Sequence, residues 1–268
     1  MRKNAWVICC CTAVLAAFGT FFRWLQDQVC FEAETGLAVR GSIWPYAVAL
    51  MIVIAAVVLA VVCFRMKNQP HTRFPDSLPA AFAAVPRVRT IGGIVLGALL
   101  AVGGAWLMIS SGTLSSPGLQ RVLAVLAIVT GAAFARQMLA PGDAETTSGA
   151  VMCASMPIVL LAFWLIVSYK VNIINPTISA YAVEILALCA ALIAFYQLAG
   201  FAYGRPKAIK SIFWSQFAAF LCITALPDDR AGGQQLMLAA IAGILVFQSY
   251  LTASNIRPAV SGPVGGVQ

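Results

Sequence analysis

Long apolar blocks separated by short polar connectors run the length of the chain, and no segment reads as a convincing strand. A helix crosses the hydrocarbon core of a bilayer in about 20 residues. Blocks of roughly that length fall at 5–25, 43–65, 91–110, 119–139, 151–169, 176–203, 211–226 and 235–253, the seventh being the shortest. The pattern predicts an all-α fold, a polytopic membrane helix bundle of about eight transmembrane helices forming one domain over 1–268. Residues 254–268, rich in glycine and proline, read as a short disordered cytoplasmic tail.

Block ends carry their own signals. Arg2 and Lys3 precede the first block as they would in a signal peptide. The run continues into Phe21, Phe22 and Trp24 without a small-x-small cleavage site, so an uncleaved span is expected. Trp44, Pro45 and Tyr46 open the second block, with aromatics suited to the interface and a proline tolerated in a first turn. Asn175 and Pro176 read as N-cap and first helical residue of the sixth. Pro157 lies inside the fifth and predicts a kink.

Composition fits this class. Hydrophobic residues make up 61% and charged residues 10% of the chain, against roughly 45–50% and about a quarter in soluble domains. The formal charge of +8 is spread over connectors, not gathered in a patch interleaved with aromatics, so no nucleic-acid partner is expected. With the N-terminus inside, twelve of the 17 lysines and arginines fall on the cytoplasmic side and five on the other. The positive-inside rule then places both termini in the cytoplasm, with the lipid bilayer as the principal partner. The longest connector, 66–90, holds prolines at 70, 75, 79 and 86, which exclude a long regular helix. Its "SLPAAFAAV" reads either as a turn or two on the membrane surface, with Arg87 and Arg89 at the headgroups, or as an ordinary topogenic loop.

Little in the chain suggests catalysis. The single histidine, His71, sits in a polar loop. A metal site needs several convergent ligands and a nucleophile needs an oriented base. Neither pattern is visible, so no enzyme activity, cofactor or metal is expected. The cysteines lack C-x-x-C spacing and, apart from Cys30, lie in apolar blocks, so free thiols are expected. Cys9, Cys10 and Cys11 are consecutive and project about 100° apart on a helix, which keeps them from converging on one ion.

Two features carry more weight. Gly93, Gly97, Ala101 and Ala105 recur every fourth residue of the third span and form a smooth stripe. Such stripes let helices approach closely, here a neighbouring helix, a helix–helix partner or a second copy in a homo-oligomer. The second feature is Glu184, the only acid in the sixth block. It stands six residues beyond Ile178, about 9 Å along the axis, in the outer third of an apolar core of about 30 Å. A carboxylate there either protonates or pairs with a cation. Arg121 and Arg23 lie at similar depth, and Tyr181 shares the face of Glu184 as a hydrogen-bond donor. The cluster reads as a proton or ion site, or as a structural clamp between spans. Gln216, Thr224, Gln248 and Thr130 are the other span polars that a cavity would draw on.

The segments "FEAETGLAV" (31–39) and "SAYAVEILALCAALIAFYQLAGFAYGRP" (179–206) resemble a family of uncharacterised bacterial multi-pass integral membrane proteins. The resemblance implies a bacterial cytoplasmic-membrane setting and no particular activity. Two functions remain in view. One is a small-solute or ion transporter built on Glu184, which requires a water-accessible cavity reaching it. The other is a non-transporting membrane subunit or scaffold, which requires a closed bundle with Gly93 and Gly97 on its outside.

Overall fold

A computed structural model describes residues 2–30, 42–68, 72–83, 86–114, 116–139, 147–173 and 178–258. The elements in order are α1 (Arg2–Val29), α2 (Trp44–Lys67), the short strand β1 (Thr72–Arg73), α3 (Leu78–Ala81) and α4 (Pro86–Ser110). A 3-10 turn (Ser111–Thr113) leads to α5 (Pro117–Leu139), α6 (Thr147–Asn172), α7 (Ile178–Ala202), α8 (Ala208–Thr224), α9 (Gly232–Ser254) and β2 (Arg257–Pro258). Helices are the form such blocks take in lipid, because every interior N–H and C=O is satisfied within the segment. Seven of them, all but α3 and α8, are long and apolar enough to cross a membrane. The chain is an all-α polytopic membrane bundle.

Burial is graded across the bundle. The apolar windows of α1 and α2 are 28% buried and that of α9 is 67% buried. Leu50, Val53, Val57 and Phe64 of α2 face outward, as lipid-facing side chains do. The 17-residue α8 is only about 26 Å long, yet every residue from Ser215 to Cys222 is buried. It packs on α1, α2, α7 and α9. Because protein encloses it, α8 tolerates Ser211, Ser215, Gln216 and Thr224 at buried positions. Thr20 of α1 donates to Ile223 O while Gln216 reaches Cys9 Sγ, so α1 and α8 run parallel. Gln216 also donates to Ser249, and the short connection from Thr224 to Gly232 turns α9 back against α8, antiparallel to both.

Among the described residues the most extensive helix contact joins α4 to α5. A Cβ on Gly97 would lie 2.5 Å from Gly131 O, and one on Gly131 would strike Gly97 O in return. Gly93 faces Met138, and Ala101 meets Gly131. Three residues of the four-residue stripe are therefore covered by α5 of the same chain, while Ala105 is exposed. The surface expected to be available to a partner or second copy is largely internal, because the missing side chains let α5 approach to backbone contact.

Several local features add detail to this picture. The segment 78–83 is anchored to the bundle, with Leu78, Ala81 and Phe82 buried and Pro79 and Ala83 exposed. Its carbonyls accept from Asn255 Nδ2 (to Ala81, 2.7 Å) and Arg89 Nη1 (to Phe82, 3.1 Å). The expected tail begins ordered, since Arg257–Pro258 pairs antiparallel with Thr72–Arg73 and leaves only 259–268 outside the described residues. Helix α6 continues through Pro157, which packs in an apolar pocket beside Thr130 and Phe134. His71, Asn175, Pro176 and the 31–39 loop also lie outside the described residues.

Candidate functional site

The connection between α8 and α9, "ALPDDRA" (225–231), organises one end of the bundle. Ala225 closes α8 through its N–H to Leu221 O, and Pro227 cannot extend a helix. The chain turns and presents Asp228 and Arg230 inward before α9 begins. Arg230 Nη1 donates to Ala225 O at 2.7 Å, which fixes the guanidinium under its own turn. Its Nε then donates to Glu184 Oε2 of α7 at 3.1 Å and its Nη2 to Asp228 Oδ2 at 2.6 Å. The other Asp228 oxygen accepts from Arg23 Nε of α1 at 2.7 Å. Arg23 continues to Gln26 Oε1 at 3.0 Å and lies 3.7 Å from Asp27.

Charges thus alternate along a continuous chain: Glu184, Arg230, Asp228, Arg23, Asp27. It ties α7, the α8–α9 connection and α1 together. Arg23 is 1% exposed, Asp228 6% and Glu184 7%. At such burial the desolvation of each ion roughly offsets the attraction between them, so the chain adds little net stability as a whole. Removal of a single member leaves an uncompensated charge and costs about 3–5 kcal/mol. Gathering five ionisable side chains at one end of a membrane bundle therefore calls for a use.

The ion-pair chain is one wall of a cavity of about 740 Å³. Helix α6 supplies the facing wall with Trp164, Val167, Ser168 and Val171, which share one face by their three- and four-residue spacing. Gln120 of α5, Tyr181 of α7 and Gln234 of α9 complete it, and Gln234 Nε2 donates to Gln120 Oε1 at 3.0 Å. Trp164 is 1% exposed, and its indole N–H has no acceptor among the described residues. Asp27 Oδ2 likewise has no donor among them.

Of the residues singled out in the sequence, Glu184, Arg23 and Tyr181 line this one cavity. Arg23 does not touch Glu184 directly; Asp228 and Arg230 stand between them. Tyr181 makes no hydrogen bond to Glu184 among the described residues. Arg121 does not belong to the cluster: its side chain is exposed, and Nε donates to Ser111 Oγ at 3.3 Å. Its neighbour Gln120 faces the cavity, and the turn of about 100° per residue carries Arg121 away from it. The residues that sequence reasoning missed are Arg230 and Asp228. Their signal was the run "PDDR" in a very short connector, which reads at first as ordinary connector charge.

Below the ion pairs, α1, α8 and α9 share further buried polar groups. Thr224 Oγ1, Ser215 Oγ, Gln216 Oε1 and Gln248 Oε1 are buried with no hydrogen-bond partner among the described residues. Thr130 is elsewhere, between α5 and α6, where its hydroxyl reaches Met156 O. Cys9 and Cys11 are half-buried and Cys10 is exposed, so the three thiols face different surroundings. No protein-family model, curated protein or solved structure matches the chain.

Proposed function

We propose that the protein is a small-solute or ion transporter, a non-enzymatic permease of the bacterial cytoplasmic membrane. In this reading the chain crosses the membrane eight times, α8 included, with both termini in the cytoplasm. The charged end of the bundle then faces outward, and its cavity is the solute's way in. The observation that carries the reading is the cavity of about 740 Å³ that reaches the buried Glu184. A volume of that size lies within the range of small-molecule sites. Supporting it are further polar side chains buried in α8 and α9, namely Ser215, Gln216, Thr224 and Gln248. The scaffold alternative draws less support, because Gly93 and Gly97 are buried against α5.

The test is a thermal-stability screen of the purified protein against ions and small metabolites, with Glu184→Gln run in parallel. A solute that binds only the folded protein raises its stability. The expected result is stabilisation of wild type by at least one solute and loss of that response in the variant. A variant that melts earlier, in a protein that answers to no solute, would reduce Glu184 to a clamp.

A further inference from the structure

The chemistry of the cavity narrows the class of solute, an inference that rests on the solute-entry reading above. Its described lining holds four carboxylates, Asp27, Glu184, Asp228 and Asp229, against two guanidiniums, Arg23 and Arg230. The guanidiniums are turned inward to the ion-pair chain. Arg230 directs its three nitrogens to Glu184, Ala225 O and Asp228. Arg23 directs its own to Asp228, Gln26 and Asp27. Neither arginine presents the forked donor pair that anion recognition uses.

The carboxylates are not matched in the same way. Asp27 Oδ2 is buried with no donor among the described residues, and Asp229 is exposed at the cavity without an ion pair among them. A cleft lined by an excess of one sign, with protein walls of low dielectric, concentrates ions of the other sign. Tyr181 adds aromatic surface of the kind that attracts ammonium groups. The Trp164 indole N–H, buried and without an acceptor among the described residues, asks for an oxygen on the same ligand.

From these features we infer that the cavity takes small organic cations, ammonium compounds bearing a hydrogen-bond acceptor, and excludes anions. Asp27 and Asp229 hold the cationic group, and Trp164 donates to the acceptor.

Charge-selective thiol labelling of the full-length protein in lipid nanodiscs tests this without knowledge of the natural solute. Asn172→Cys places a thiol in the cavity and Gln28→Cys places one on a more exposed lining position. Wild type, with its eight native cysteines, sets the background. The probes are a trimethylammonium-ethyl and a sulfonato-ethyl methanethiosulfonate, with rates normalised to the same thiol in the unfolded protein. Labelling by the cationic probe is expected to be faster by about tenfold or more. That preference should shrink towards unity in Asp27→Asn or Asp229→Asn. Choline should slow cationic labelling, whereas dimethylbutanol, its uncharged isostere, should not. Equal rates, a faster anionic probe, or a preference unchanged by both Asp→Asn variants would overturn the inference while leaving an accessible cavity. Failure of both probes at both positions would mean a cavity closed to solutes, and the transport reading would fall with it.

Discussion

The α4–α5 seam and the charged end of the bundle both hold helices together in a setting where lipid is as apolar as the side chains. They do so by opposite means. In the seam, Gly97 and Gly131 remove side chains until backbones touch, and the attraction is van der Waals packing. At the charged end, Glu184, Arg230, Asp228 and Arg23 hold α7, α1 and the α8–α9 connection through ion pairs of 2.6 to 3.1 Å. The seam leaves no room for anything else. The ion pairs border a cavity and keep polar atoms beside it. Close packing thus marks a part of the molecule with no free volume, and paired charge marks a part that borders a cavity.

The sharpest way to probe the difference is Arg230→Met, which leaves Glu184 and Asp228 facing each other without their shared cation. Loss of about 3–5 kcal/mol is expected, read as a large drop in melting temperature in detergent. The double variant Arg230→Met/Glu184→Gln should recover part of it; no recovery would mean that the ion pair is not the cause. Glu184→Gln alone keeps an acceptor for Arg230, which stays paired with Asp228. It should therefore cost less than the full removal of a member, at about 1.5–3 kcal/mol. Gly97→Ala puts a methyl 2.5 Å from Gly131 O and should cost about 1–3 kcal/mol by overpacking. Its solute response should stay intact, unlike that of Glu184→Gln. Smallest of all are Arg121→Gln and Ala105→Leu, both at exposed positions, expected within about 0.5 kcal/mol of wild type. A larger effect at Ala105 would indicate a helix partner outside the chain.

The seam was more legible in the sequence than the site, for physical reasons. Lipid demands unbroken apolar segments, so α1, α2 and α4 to α9 fall within a few residues of the apolar blocks that announce them. Four-residue spacing fixes a helical face, so Gly93, Gly97 and Ala101 could be grouped before their neighbour was known. What the spacing does not contain is the identity of that neighbour, which proved to be α5. Glu184 and Arg23 stood out because a charge in an apolar block is costly. Arg230 and Asp228 did not, because connectors are charged as a rule and their inward turn depends on tertiary contacts. Arg121 failed as a partner because depth in the membrane says nothing about direction around the helix. The pairing of β2 with β1 was equally hidden, since two residues carry no periodicity to read.

The most direct test of solute entry is uptake from a pooled mixture of small organic cations, zwitterions and anions into proteoliposomes, read by mass spectrometry. Wild type, Glu184→Gln and empty liposomes would be compared, after equal folding of both proteins is verified. At least one solute accumulating with wild type, and falling to the level of empty liposomes with Glu184→Gln, is the predicted result. Uptake indistinguishable between wild-type and empty liposomes across the whole pool would contradict it, and the ion-pair chain would stand as structure alone.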